Sequence, residues 1–324
     1  MTRSAADRRQ TISVVMPVYR EGQHIGVVLD AVSEILDKLD ASYELLLIDD
    51  GSPDNTWDVL EGLSAKLPRL RAIRLSRNFG KELALCAGLE MARGDAVIVM
   101  DGDGQHPPAI LPEMIRIWRD TDIDIVDGQK VHRGKETLLS KTGARLFYYL
   151  WNRLSGFELT GASDYKLLSR RAVDAYLQMK ERNVFFRGMT AWLGFRRASV
   201  PFEVAGRIGG NTGWSMFRLL RLALTGITAF SALPLQVITI AGGLFMLFAI
   251  IFGVQTLIVL LIGHAVSGFA TVIFLLLIIG GLVMISLGII GEYLGRIYDE
   301  VKGRPRYLVG RVMESSEPLS TVDR

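Results

Sequence analysis

Apolar and polar positions in the first hundred residues alternate between two periods. Ile12 to Val18 is an almost continuous apolar run around Pro17, which predicts a buried parallel strand. Ile25 to Leu39 instead repeats apolar residues at helical spacing, through Val28, Leu29, Val32, Ile35, Leu36 and Leu39. Tyr43 to Ile48 predicts a second strand, closed by the turn residues Asp49-Asp50-Gly51-Ser52-Pro53-Asp54. Thr56 to Leu67 then predicts a helix, Leu70 to Leu75 a strand, Glu82 to Ala92 a helix, and Ala96 to Met100 a short strand ending at Asp101. Strand and helix in repeated alternation predict an α/β domain with a doubly wound, mostly parallel sheet. Such sheets bind ligands outside the carboxyl ends of their strands, where Asp49, Asp50, Asp101 and Asp103 fall.

Beyond Pro201 the pattern changes. Trp214 to Phe230 places Arg218, Arg221, Thr225 and Thr228 on one helical face and Phe217, Leu220, Leu224 and Ile227 on the other. A basic amphipathic helix of this kind is expected to lie in a membrane interface. Leu235 to Ile262 and Phe269 to Ile290 are uncharged apolar runs, each exceeding the roughly 20 residues that a spanning helix needs. A short turn at Gly263 to Gly268 makes them a helical hairpin. Basic residues flank the pair (Arg218 and Arg221 before; Arg296, Lys302, Arg304, Arg306 and Arg311 after) and are missing from the turn, which predicts that both chain ends are cytoplasmic. The expected organisation is a cytoplasmic catalytic domain over 1–213, an interfacial helix over 214–232, a transmembrane hairpin over 233–291 and a cytoplasmic tail over 292–324.

Composition sharpens this picture at three points. Hydrophobic residues make up 49% of the 324, and the excess is concentrated: Leu222 to Gly291 contains no Asp, Glu, Lys or Arg. The formal net charge of +3 is too small to argue for nucleic acid, whereas a pI near 9.0 suits a protein beside anionic lipid. The single cysteine, Cys86, excludes an intramolecular disulfide framework and fits a reducing compartment. The polar segment Met1 to Gln10 has no apolar core behind it, so the first domain is expected to stay on the side where it is made. A homo-oligomer is compatible with the sequence.

The sharpest chemical signal is Val99-Met100-Asp101-Gly102-Asp103-Gly104-Gln105-His106-Pro107-Pro108. Two carboxylates one residue apart, just past a strand, can converge on a hard divalent cation, which would bridge a diphosphate and neutralise a leaving group. His106 and His132 lack a paired ligand spacing and read as local hydrogen-bonding residues. Val18-Tyr19-Arg20-Glu21-Gly22 follows the first strand where a dinucleotide-binding fold would need Gly-x-Gly-x-x-Gly.

Val15-Met16-Pro17-Val18-Tyr19-Arg20-Glu21 and Ile48-Asp49-Asp50-Gly51-Ser52 resemble the opening motifs of inverting family 2 glycosyltransferases of the GT-A fold. Ser76 to Glu82, Asp101 to Pro108 and Asp164 to Arg170 narrow the resemblance to the dolichol-phosphate mannose synthase branch, and within it to bacterial bactoprenol glucosyltransferases. Gly291 to Tyr298 is similar to the segment after the membrane hairpin in those members. The resemblance implies that Pro17, Tyr19 and Glu21 line the nucleotide pocket and that Asp50 accepts from the base. It implies that Asp101, Asp103 and Gln105 hold Mg²⁺ or Mn²⁺ against the donor diphosphate, with Lys81 in a donor-side loop. Arg145 matches an arginine that helps hold the acceptor phosphate, with Lys130 or Arg133 as a second basic residue there. Two departures bear on mechanism. The Gln-x-x-Arg-Trp string of processive synthases is missing, which predicts one transfer per encounter. Thr212-Gly213-Trp214 stands where many relatives have Ser-Lys-Tyr, leaving interfacial phosphate contacts to Arg207, Arg218 or Arg221.

An independent chemical argument favours a phosphate acceptor. A hydroxyl acceptor needs a general base, usually one of a Glu-Asp pair in this superfamily, and here Gly161-Ala162-Ser163-Asp164 offers Asp164 alone. A phosphate monoester, with a second pKa near ~6, is already a nucleophilic dianion for much of the time and needs positioning and screening instead. The expected activity is transfer of a hexose, glucose from UDP-glucose, to undecaprenyl or another polyprenyl phosphate at the cytoplasmic face of the inner membrane by a multi-pass protein. Mannose, an amino sugar or a modified sugar on the same lipid, a diacylglycerol acceptor, and a silent nucleotide-binding scaffold are the alternatives.

Overall fold

The computed structural model describes residues 10–39, 41–131, 163–182, 184–203, 233–262, 268–317 and 319. The predicted interfacial helix and most of the turn between the two apolar runs lie outside these residues. Two compact units are present, one built on a sheet and the other on two long helices.

In the first unit the predicted alternation is observed. Strand β1 (Thr11–Val18) is followed by α1 (Ile25–Asp37), β2 (Ser42–Asp49), α2 (Thr56–Ser64), β3 (Leu70–Leu75), α3 (Lys81–Met91) and β4 (Ala96–Val99). A short 3₁₀ turn at Pro108–Ile110 leads into α4 (Leu111–Asp120) and β5 (Ile125–Lys130). Then come β6 (Lys166–Ser169), α5 (Arg170–Gln178), α6 (Phe186–Trp192) and β7 (Arg197–Phe202). A last strand, β8 (Val309–Met313), completes an eight-stranded sheet of order β7-β5-β6-β4-β1-β2-β3-β8. β1 pairs in parallel with β2 and β4, and β2 with β3, while β6 and β8 are antiparallel to their neighbours. The sheet is therefore mostly parallel, as a GT-A domain requires.

Continuous apolar runs become the central strands because both faces are covered. In β1, Ile12, Val14, Val15 and Met16 are fully buried, and in β2 Leu45 to Ile48 are at most 1% exposed. The helical stripe read from α1 is the buried one: Val28, Leu29, Val32 and Leu36 face the core. One polar cluster is buried with them. Glu44 accepts from the Ser13 hydroxyl and from the Arg93 backbone N–H, so its carboxylate is satisfied inside the sheet.

The segment after the apolar runs is where expectation and structure differ most. Residues 292–324 read as a tail, yet they carry β8, paired along β3 from Ala72↔Met313 to Leu75↔Val309. Ser76 N–H donates to the Leu308 carbonyl at 2.8 Å, Arg71 Nε pairs with Glu314 at 3.1 Å, and Glu317 N–H donates to Pro68 at 3.0 Å. Five residues interrupted by Gly310 and Arg311 carry no legible strand period, so pairing with β3 decides their conformation.

The second unit contains α7 (Leu233–Leu261) and α8 (Phe269–Val301). Ile238–Val259 and Ile278–Val301 are long and apolar enough to cross a membrane, and neither window is buried in the chain. Exposed Leu244, Phe248, Ile251 and Met284 would be intolerable in water and ordinary in lipid. α8 continues past the charge-free run through an Arg296–Glu292 pair at 3.2 Å and ends at Gly303, whose φ of 59° suits a glycine terminator.

Gly51 joins the fold to the site. Its φ is +64°, and an added Cβ would lie 2.4 Å from the Arg77 carbonyl carbon. Gly51→Ala is expected to destabilise the domain by at least ~2 kcal/mol, since left-handed strain adds to a backbone clash. Thermal unfolding in detergent checks this, and a melting temperature equal to that of the parent would contradict it.

Candidate active site

The carboxyl ends of β1, β2 and β4 bring three loops together, and side-chain to backbone bonds fix each to the next. After β1, Arg20 takes a positive φ of 60° and its N–H donates to Ser52 Oγ at 3.1 Å. Tyr19, 39% exposed, carries the Arg20 guanidinium 5.2 Å above its ring. Pro17 is partly exposed beside it, and the Glu21 carbonyl accepts from His24 and Ile25 to start α1. At the end of β2, Asp49 is a turn-capping residue: Ser52 N–H donates to its Oδ1 at 2.9 Å and Arg74 pairs with Oδ2 at 3.3 Å. Asp50 reaches the other way. Phe79 and Gly80 N–H donate to its two oxygens at 2.7 and 2.8 Å, pinning the loop that launches α3. Burial raises the Asp50 pKa against the pull of those two donors. The contact expected between Asp50 and a base would use the lone pairs these bonds leave.

Beyond β4, Asp101 and Asp103 occupy a tight loop. Gly102 sits where a Cβ would come within 2.9 Å of Val18 Cγ1, and Gly104 has φ 75°. Asp103 Oδ1 accepts from the Gln105 backbone N–H at 3.0 Å, and Asp101 N–H donates to His106 Nδ1 at 2.9 Å. His106 is buried, stacked on Tyr165 at 4.8 Å, and Tyr165 in turn donates to the Pro107 carbonyl. Burial lowers the His106 pKa, and its Nδ1, accepting from the Asp101 N–H, holds the Asp101 backbone in place.

Charge is concentrated around Asp164, which is 5% exposed. Arg187 grips it with Nε to Oδ1 at 2.6 Å and Nη2 to Oδ2 at 2.9 Å. Lys81 Nζ lies 2.7 Å from Asp164 Oδ2 and 2.6 Å from Asp101 Oδ1, joining the two carboxylates. Burial opposes both charges, but the partners prevail. The Asp164 pKa is held well below the carboxylate range by Arg187 and Lys81, and the Lys81 pKa is raised by Asp101 and Asp164. Lys130, at the end of β5, is half-buried near Arg187, and burial followed by that neighbouring cation lowers its pKa.

The chain thus brings Lys81, Asp101, Asp164 and Lys130 to one place, with Asp103 and Gln105 in the adjoining loop and Pro17, Tyr19, Glu21 and Asp50 on the β1–β2 side. Arg133, Arg145, Arg218 and Arg221 lie outside the described residues. Sequence reasoning missed Arg187 and Glu82. The signal for Arg187 is an isolated charge inside Phe185-Phe186-Arg187-Gly188-Met189. Among the described residues no three His, Cys, Asp or Glu side chains gather as a ready-made metal cage. Two carboxylates and an amide still fit a hard cation that takes its remaining ligands from phosphate and water.

Glu82 is half-buried beside this network and accepts from Phe186 N–H at 2.8 Å. Burial, reinforced by Asp164, pushes its pKa up from 4.5 to about 7. A raised folded-state value means that its stabilising contribution is complete below about pH 4.5 and is lost as pH rises through about 7. Glu82→Gln should therefore match the parent near pH 4.5 and exceed it above pH 7 by on the order of 3 kcal/mol, without nucleotide or divalent metal. Melting temperatures across that range are the check; parallel curves for the two proteins would show that Glu82 does not titrate there.

Residues 13–197 match the family model described as glycosyl transferase family 2. An uncharacterised glycosyltransferase of Synechocystis sp. is 37% identical over 300 residues, 92% of this chain and 94% of that protein. The prophage bactoprenol glucosyl transferase homolog of Escherichia coli (strain K12) is 36% identical over 303 residues, 93% of this chain and 99% of that protein. Among solved structures, glucosyl-3-phosphoglycerate synthase from Mycobacterium tuberculosis, in complex with Mn²⁺ and UDP-glucose, aligns at 22% identity with a TM-score of 0.45, over 66% of this chain and 76% of that one. With more than half of its length inside the family model and relatives above one-third identity along nearly all of it, the chain belongs to glycosyl transferase family 2 and is a glycosyltransferase.

Proposed function

We propose that this glycosyltransferase moves one hexose, glucose from UDP-glucose, onto a polyprenyl phosphate at the cytoplasmic face of a membrane, with inversion and with a divalent cation. The observation that carries this reading is the clamp on Asp164. Its carboxylate is held between Lys81 and Arg187 and ionised far below neutral pH, so it is a poor proton acceptor. Glu82, the neighbouring half-buried carboxylate, is turned onto the Phe186 backbone. A site arranged in this way suits an acceptor that arrives already ionised, as a phosphate does. Its cations Lys81 and Lys130 suit the screening of phosphate charge. Asp101, Asp103 and Gln105 would hold the Mg²⁺ or Mn²⁺, which when bound neutralises the departing diphosphate. Pro17, Tyr19, Glu21 and Asp50 would face the nucleotide. Relatives named as bactoprenol glucosyl transferases support the lipid acceptor and the sugar. Mannose or an amino sugar on the same lipid is the second reading.

The membrane half of the proposal has its own support. The chain leaves the sheet before α7 and returns to it as β8, beside β3. If α7 and α8 span, they therefore cross an even number of times, and the flanking basic residues support a cytoplasmic position for that shared side.

Two experiments test these assignments. Membranes containing the protein, incubated with a panel of radiolabelled nucleotide sugars and extracted for lipid, should yield one labelled polyprenyl product. Asp103→Ala should lower its formation at least ~10³-fold while the protein remains folded and membrane-bound. Turnover near the parent level in that variant, or in excess chelator, would refute the metal assignment. For topology, cysteines replacing His264 and Ser316 should react with an impermeant thiol reagent from opposite sides, the native Cys86 being buried. Labelling of both from one side would show that the hairpin does not cross.

A further inference from the structure

We propose that Arg187 is a positioning residue of the transfer site, acting through Asp164 to hold Lys81 beside Asp101. The proposal rests on the donor side of the reading above and extends it to a residue that no motif singles out. Two observations carry it.

The first is an alternating chain of charge. Arg187 on α6 meets Asp164 ahead of β6 in a two-bond fork, Nε to Oδ1 at 2.6 Å and Nη2 to Oδ2 at 2.9 Å. Asp164 Oδ2 also accepts from Lys81 at the start of α3, and Lys81 reaches Asp101 beyond β4. Four segments distant in sequence are thus tied by four side chains in the order plus, minus, plus, minus. A fork of this kind fixes the plane of a carboxylate, whereas one bond lets it rotate. Only with that plane fixed does Oδ2 face Lys81.

The second observation is that the chain closes on itself. Phe186, the residue before Arg187, donates its N–H to Glu82, the residue after Lys81. Lys81, Asp164, Arg187, Phe186 and Glu82 therefore form a ring of two peptide links and three hydrogen-bonded contacts. The ring keeps α3 and α6 together through the Glu82–Phe186 bond, so that Asp164 is presented to the Lys81 ammonium in one geometry. Lys81 is 40% exposed and long, and without such a ring its rotamer entropy would spread the ammonium over several positions. The place where it is held, against Asp101, is where a nucleotide diphosphate and its cation would meet the protein.

The fork commits Nε and Nη2 to Asp164, and the role proposed for Arg187 runs through that carboxylate. The alternative, direct contact with a phosphate, predicts a different pattern in a double-mutant cycle. The readout is calorimetric affinity for a nucleoside diphosphate with Mn²⁺, titrating UDP, GDP, CDP and TDP in turn. The full-length protein in detergent is used as the parent and as Arg187→Ala, Asp164→Asn and their combination. Arg187→Ala should weaken binding roughly 10-fold in the parent, the loss of one charge-assisted bond. In the Asp164→Asn background it should change binding less than about 2-fold, since the link it acts through is already cut. Arg187→Lys, which keeps the charge and loses the fork, should fall between parent and alanine, and added guanidinium should restore part of the loss in Arg187→Ala. An equal loss in both backgrounds, or full function in Arg187→Lys, would overturn the proposal. Failure of the acceptor reading shows separately, as a parent protein that binds nucleotide yet labels no polyprenyl lipid.

Discussion

An anion buried to 5% exposure costs several kcal/mol unless its partners are close and well aligned, and Asp164 meets that condition through Arg187 and Lys81. Most of the site follows from satisfying this one carboxylate. Lys81 must stand at the first turn of α3, so the preceding loop must turn sharply, and Gly80 does so at φ 97°. That loop is in turn pinned by Asp50, whose own position depends on Gly51 fitting against the Arg77 backbone. Arg187 must stand at the start of α6, which Glu82 fixes by accepting from Phe186. Removal of either cation would leave an underpaired buried charge, a more severe fault than the loss of a surface ion pair.

The sheet makes this convergence possible, and its last strand ties it to the apolar helices. β8 lies after α8 in sequence and beside β3 in space, so the chain that enters the helical unit returns to the catalytic one. Glu314 just beyond β8 pairs with Arg71 and Arg93, and Arg71 also faces the buried Glu44. β3 is thereby paired on both sides from within the same chain, and the short β8 becomes the edge of the sheet. A tether with two ends also restricts a catalytic domain more than a single linker does, which suits a proposed acceptor whose phosphate stays at headgroup depth.

Much of the first unit was legible because its signals are local. Apolar runs buried on both faces gave β1 and β2, helical spacing gave α1, and turn residues marked the ends where the carboxylates sit. Asp49 as a cap and His106 as a hydrogen-bonding residue also follow from short-range chemistry, and the structure places both in those roles. No strand beyond β4 was read from the sequence, and β6 and β8 show why. β6 is only four residues long and antiparallel between two strands of other segments, and β8 has no period of its own. Arg187 and Glu82 were missed for the same reason. Their importance lies in a ring that joins residues 81–82 to 164 and 186–187, and no pattern within one segment encodes that pairing.

The electrostatic arrangement finally bears on why the acceptor chemistry and the metal belong together in the proposed reaction. Lys81 now supplies the positive charge that Asp101 needs, at 2.6 Å. A divalent cation bound by Asp101 and Asp103 would meet the same need, and two positive centres on one carboxylate repel. Lys81 would then be drawn toward Asp164 and toward the diphosphate that accompanies the cation, while the fork from Arg187 keeps Asp164 from following it. The site would thus change from internally neutralised to attractive for phosphate only when the charged donor is present. A nucleophile that is itself an anion needs such a rise in positive potential more than it needs a base, because proton removal is complete before it arrives. In that reading Asp164, paired with Lys81 and Arg187, serves to place Lys81 rather than to take a proton.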